Sequence, residues 1–186
     1  MKNLKLSFAA LAIALTASLT SVNAQTVQVG GEAMLPKKDI IDNAVNSKVH
    51  TTLVAAVKAA DLVATLKGAG PFTVFAPTND AFENLPAGTV ENLLKPENKA
   101  TLTKVLTYHV VSGKYTFDDL TKLIKKGNGK ATLPTVSGGS LTFTMNGTHN
   151  ILITDENGST SNIIVYDVMQ SNGVIHSIDT VVLPKM

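Results

Sequence analysis

Apolar residues recur at steps of three and four through the first two thirds of the chain and at steps of two thereafter, with the change of period near Gly127. Helices first and a run of strands after predict an α+β fold rather than alternating α/β units. Asp39 caps a short helix through Ile40, Ile41 and Val45. A longer helix is predicted from Thr51 to Lys67 on the stripe Leu53, Val57, Ala60, Val63 or Ala64, and Leu66, with Gly68 as its stop. Phe72 to Phe75 read as a strand, because aromatic and β-branched side chains suit a pleated, buried surface. Pro77 cannot donate to a ladder, so the strand ends there. Thr78 then caps a helical turn, Asp80 favours its positive end, and Phe82 and Leu85 fold the turn onto the core.

Thr89 to Leu94 and Glu97 to Thr107 form two further helical runs separated by Pro96, which suits a helix start; Leu102, Val105 and Leu106 make the inward stripe. Tyr108 to Val111 shifts toward β-branched residues, Ser112-Gly113 turns, and Asp118-Asp119 lies early in a lysine-ended helix that closes at Gly127. Strands are predicted over Ala131 to Val136, Ser140 to Met145, His149 to Thr154, Thr160 to Met169 and Val174 to Leu183. The joints Ser137-Gly138-Gly139, Asn146-Gly147, Asn157-Gly158 and Asn172-Gly173 carry the residue types that tight hairpins require, which makes this region a β meander.

The first 24 residues depart from both periods. Lys2 and Lys5 precede an apolar run from Leu6 to Leu19, and Val22-Asn23-Ala24 is a small-x-small cleavage pattern, so residues 1–24 read as a secretory signal. The run is shorter than the ~20 residues a membrane span needs, and no second such run follows, so no stable membrane insertion is expected. Residues 25–36 hold Gly30, Gly31 and Pro36 without a sustained period and read as a flexible tether, leaving 37–186 as one domain. An exported chain of this kind is periplasmic or extracellular. Losing the two signal lysines takes the formal count from 16 basic and 14 acidic residues to 14 of each. Every basic residue is lysine, so the bidentate guanidinium fork is absent and no nucleic acid is expected as a partner. Zero cysteines in an exported chain leave stability to the core.

The segment Gly70 to Phe82, through Thr73, Phe75, Pro77, Thr78, Asn79, Asp80 and Phe82, is similar to the first signature box of the fasciclin-type domain. Asn172 to Asp179, with Gly173, His176 and Asp179, running on to Pro184, resembles the second box; Leu106 to Val111, with Tyr108-His109, resembles the family's tyrosine-histidine segment. The resemblance covers roughly residues 37 to 184 and implies a wedge of two β layers packed with several helices, in which the strands of the two boxes lie near each other. It also implies adhesion. In animal matrix members, integrin binding is attributed to an Asp-Ile pair before the second box and to the tyrosine-histidine segment; here Asp167 and Val168 stand at the first, valine replacing isoleucine, and Tyr108 and His109 at the second. These four residues are the interaction candidates.

Catalytic and metal chemistry find little support. His50, His109, His149 and His176 lack the short paired spacings of a zinc site, and His109 and His176 fall in apolar runs that suit a buried, hydrogen-bonded imidazole. His176-Ser177-Ile178-Asp179 contains the residue types of a hydrolase triad, but strand alternation turns His176 away from Ser177 and Asp179. Asp118-Asp119 and Asp155-Glu156 read as solvated caps, and the two Asn-Gly-Thr/Ser triplets coincide with hairpin turns. No catalytic residue, metal or cofactor is expected. The functional expectation is an exported, non-enzymatic adhesion or interaction module whose partner is a cell-surface or matrix protein or polysaccharide, with weak self-association as a further expectation. The alternative is a carrier of a small lipophilic ligand, since some fasciclin-type proteins are associated with carotenoids; the feature in its favour is a 44% hydrophobic composition.

Overall fold

Two glycines a hundred positions apart bring the fold together. The computed structural model describes residues 26–185, so the secretory signal expected over 1–24 lies outside the described residues. Strand β3 (Phe72–Pro77) pairs in parallel with β9 (Gly173–Ile178), Phe72 opposite Gly173 and Pro77 opposite Ile178. A Cβ at Gly173 would overlap the Phe72 carbonyl, and one at Gly70 would overlap the Asn172 carbonyl. Only glycine lets the two backbones come this close.

Around this pair the sheet order is β4-β3-β9-β8-β7-β6-β5, adding β4 (Val110–Ser112), β5 (Lys130–Pro134), β6 (Ser140–Asn146), β7 (Asn150–Thr154) and β8 (Thr160–Gln170). β8 spans two layers: Thr160 to Asn162 pair with β7, while Ile163 to Gln170 pair with β9 across two register shifts. A bridge between Val111 and Thr135 links the two ends of the sheet and nearly closes it into a barrel. The meander is thus present as expected, as is the pairing of the two box strands.

Strand alternation divides the core in two. Phe75 and Ile178 face an interior filled by Tyr108, Phe143, Ile151 and Ile153, and α7 (Phe117–Lys126) closes it with Leu120 and Ile124. Val74, Ala76 and Ile175 face the opposite side, where α1 (Ile40–Ala44), α2 (Thr51–Ala59), α3 (Val63–Leu66) and α6 (Lys99–Tyr108) pack. α4 (Asn79–Glu83) follows β3 at once, with Thr78 Oγ1 accepting from the Ala81 N–H and Phe82 buried. α5 (Thr89–Leu93) and a single 3-10 turn at Pro96–Asn98 lead into α6.

Four expectations need correction. The described part of the expected tether, residues 26–36, is not structureless: β1 (Val27–Val29) and β2 (Glu32–Met34) make an antiparallel hairpin whose Val29 and Met34 are buried against the helical side. Their burial rewards ordering that two three-residue strands could not sustain alone. The helix predicted from Thr51 to Lys67 breaks after Ala59. Asp61 adopts φ 56°, its N–H donates to Lys58 O (3.1 Å), and Leu62 N–H donates to Val57 O (3.0 Å), a Schellman ending that restarts the chain as α3. Tyr108 is the last residue of α6, and the strand starts only at Val110. β9 stops at Ile178 because the following amides donate to side chains: Thr180 N–H to Ser161 Oγ, Val182 N–H to His109 Nε2 and Leu183 N–H to Asp155 Oδ2.

Candidate functional site

Strand β9 is buried along its whole length, so its alternate residues serve two different interiors. His176 points into the barrel side. Its Nε2 donates to the Tyr115 carbonyl (2.8 Å), its Nδ1 accepts from the Asp167 N–H (3.3 Å), and its ring stacks on Phe75 at 5.6 Å. The carbonyl can only accept, which fixes the proton on Nε2. Burial holds the imidazole below its ordinary pKa, so it is neutral. Asp167 sits in the irregular part of β8 at φ 55°, and its Oδ1 accepts from the Phe117 N–H (2.8 Å) at the start of α7.

The other interaction candidates are also engaged inside the domain. Val168 is buried with the helical-side core. Tyr108 is fully buried; its hydroxyl donates to Ser140 O (2.7 Å) and accepts from the Glu156 N–H (3.1 Å), and burial pushes its pKa up to about 12. His109 lies next to it in sequence, with Nδ1 donating to Val105 O (2.8 Å) and Nε2 accepting from the Val182 N–H (3.3 Å). Burial lowers its pKa to about 4. Asp167 and Val168 therefore join β8 to α7 and to the core, while Tyr108 and His109 fasten α6 to the meander and to the C-terminal segment.

The signature residues likewise tie elements together. Thr73 Oγ1 donates to Gly113 O (2.7 Å) and accepts from the Tyr115 N–H (2.9 Å). Asn79 Oδ1 accepts from the Thr52 N–H (3.1 Å) and from Thr51 Oγ1, and Asn79 Nδ2 donates to Lys48 O. It caps α2 from outside, where the helix's own N-cap residue, His50, makes no side-chain cap. Asp80 is exposed in the first turn of α4. Asp179 accepts from Asn162 N–H (2.9 Å), Asn162 Nδ2, Ser161 Oγ and Thr180 Oγ1, and these bonds hold its pKa below the usual carboxylate range despite partial burial. Pro184 is buried at the end of the described chain.

His176, Ser177 and Asp179 do not converge, because Asp179 bonds to β8 and Ser177 faces the helical side. Among the described residues, no group of three or more His, Asp or Glu side chains is placed to hold a metal ion. Asp155 is not a solvated cap. It is 6% exposed and accepts from the N–H groups of Asn157, Ser159 and Leu183, fixing the β7–β8 turn to the C-terminal segment.

Sequence reading missed two features of the helical side. Asn172, assigned only to a turn, accepts from the Ile40 N–H (3.0 Å) and donates to Leu66 O (2.8 Å) and Gly68 O (2.9 Å). Beside it, Asn43 exchanges bonds with the Leu35 backbone and bonds the Gln170 side chain. The second feature is an apolar cavity of about 50 Å³ between the sheet face and α1, α2 and α3, with Ile41, Leu53, Val74, Ile175, His50 and Ser177 among its walls. No local signal marks it, since its walls come from seven separate stretches of chain.

The geometry is that of an α+β scaffold whose distinctive polar residues are spent on tertiary ties. Residues 48–184 match the family model for the fasciclin domain, and the chain belongs to that family. It is 49% identical over 148 residues to Protein sll1483 of Synechocystis sp., covering 79% of this chain and 74% of that one. It is 32% identical over 160 residues to the cell surface glycolipoprotein MPB83 of Mycobacterium bovis, covering 83% and 64%. Among solved structures, an insect FAS1 domain pair from the cell adhesion molecule Fasciclin I superposes with a TM-score of 0.71 at 21% identity, over 80% of this chain and 51% of that one. That likeness supports the two-layer wedge.

Proposed function

We propose that the protein is an exported, non-enzymatic adhesion or interaction module. The observation that carries the reading is the fasciclin domain itself, in a chain whose candidate acid, base and nucleophile side chains are tied to backbone or faced apart. The leader-like residues 1–24 and the cell-surface relative support export. Among the described residues no helix is long and apolar enough to cross a membrane.

With Tyr108, His109 and Val168 buried, the contact surface of this reading is the open cleft lined by Gly30, Val49, Asn79, Asp80, Ile164 and Val165. It combines an exposed apolar side chain, Ile164, with an exposed carboxylate, Asp80. Weak sites of this kind hold a cell surface or matrix when presented in many copies. The test is attachment of the producing cells, with and without the gene, complemented by wild type or by Ile164→Lys with Asp80→Lys. Complementation by wild type alone supports the reading; unchanged attachment on deletion overturns it.

A second reading, carriage of a small lipophilic ligand, is favoured by one observation, the apolar cavity under α1 and α2.

A further inference from the structure

The chain carries four Asn-Gly pairs: Asn128-Gly129, Asn146-Gly147, Asn157-Gly158 and Asn172-Gly173. In such a pair the glycine amide nitrogen can attack the asparagine side-chain carbon, because no β-carbon on the glycine obstructs the approach. The reaction needs a free amide nitrogen and a side-chain amide able to turn toward it. Three of the pairs lack one or both in the fold. Gly129 N–H donates to Ile124 O (2.9 Å) in the turn that ends α7. Gly158 N–H donates to Asp155 O (3.1 Å), and Asn157 Nδ2 donates to Leu183 O (2.9 Å). Asn172 is buried with its side chain bonded to Ile40 N–H, Leu66 O and Gly68 O, and Gly173 lies against the Phe72 backbone.

Asn146-Gly147 differs from all three. Both residues are exposed where the β6–β7 hairpin turns, just beyond the last paired position, Asn146 opposite Asn150. Among the described residues Gly147 N–H has no hydrogen-bond partner, and the space a Cβ would fill at this glycine is open. One exposed bond restrains the asparagine side chain, from Nδ2 to Asn162 Oδ1 (3.1 Å). We infer that Asn146 is a site of spontaneous deamidation, selected by the fold from the four pairs. The Gly147 nitrogen gives up its proton and bonds to Asn146 Cγ; the Cγ–Nδ2 bond breaks, and Nδ2 leaves as ammonia with that proton, closing a cyclic imide. Water then opens the imide at either carbonyl, giving aspartate or isoaspartate, and no other reactant is consumed. Asn162 does not adapt to the product. Its Nδ2 is held by Asp179 Oδ2 (3.0 Å), so its Oδ1 keeps facing position 146, where a carboxylate oxygen now stands in place of a donor. The tie from the hairpin tip to β8 is lost, and isoaspartate, which carries the main chain through an extra methylene, also breaks the pairing of 146 with 150. This chemistry is independent of the adhesion reading.

The experiment holds the protein as the cell produces it, folded and in guanidinium chloride, at mildly alkaline pH and follows all four pairs by peptide mass spectrometry, with enzymatic methylation of isoaspartate as a second readout. In the folded protein Asn146 should convert at least about tenfold faster than Asn128, Asn157 and Asn172, whose held groups react only when local structure opens. In denaturant the four rates should come together. Gly147→Ala should slow conversion at 146 by about tenfold or more in both states, the denatured state being free of any effect of the substitution on folding. Equal rates at the four pairs in the folded protein overturn the site, as does a lead for Asn146 that persists unchanged in denaturant.

Discussion

Acid should unfold this domain by protonating its interior before its carboxylates titrate. An imidazole ordinarily titrates near 6.5; burial holds His109 near 4 and also lowers His50 and His176. Because the folded pKa is depressed, the unfolded chain takes up the proton first as pH falls below 6.5. Stability is therefore complete above 6.5 and declines from there toward 4. For His109 the shift from 6.5 to about 4 corresponds to roughly 3 kcal/mol in total, of which about 2 kcal/mol is gone by pH 5. Carboxylates held low, among them Asp119 and Asp179, lose their contribution only below their own ordinary range near 4, so the interval from pH 7 to 5 isolates the histidines. The assay is urea unfolding followed by circular dichroism at pH 7.5, 6 and 5 for wild type and His109→Gln, whose amide can keep one donor and one acceptor without titrating. The variant should lose about 2 kcal/mol less than wild type over that interval. An identical pH slope in the two proteins would refute the neutral, buried assignment of His109.

Gly173→Ala forces a methyl into the Phe72 carbonyl and should cost more than ~3 kcal/mol, seen as loss of cooperative melting, whereas Gly138→Ala, with open space at its Cβ but φ 92°, should cost only ~1 kcal/mol. Asn79→Ala removes the outside cap of α2 and should lower stability by ~1 kcal/mol in denaturant titration. Asp61→Gly relieves a left-handed aspartate and should raise stability by up to ~1 kcal/mol, since the exposed Lys99 ion pair it removes is worth little. Deleting residues 25–36 exposes the core that Val29 and Met34 cover and should lower the melting temperature by several degrees; an unchanged value would mean that the hairpin is dispensable.

The fold was most legible where local chemistry and tertiary need agree. Phe72 to Phe82 carries its own strand, stop and cap, and α7 carries a full capping box between Thr116 and Asp119. The helix break at Asp61 was hidden because Val63 and Leu66 keep the helical period after the chain has turned. The hairpin was hidden because Val27 to Met34 is ordered by what it covers. Of the interaction candidates, His109 is expected to be buried from its apolar run, but the burial of Tyr108 and Val168 was not read from the sequence. Asp155 and Asn172 looked like ordinary turn residues, and only the arrival of distant backbone at their side chains gives them weight.

The parallel pairing of β3 with β9 also sets an order of events. The ribosome releases Phe72 about a hundred residues before Gly173, so the central ladder can close only when nearly the whole domain has emerged. A nascent chain of this design stays open until β9 appears. It also makes the C-terminal segment the latch of the domain: a proteolytic cut that removed β9 would leave the first box paired only with the short β4 and cut off from the meander.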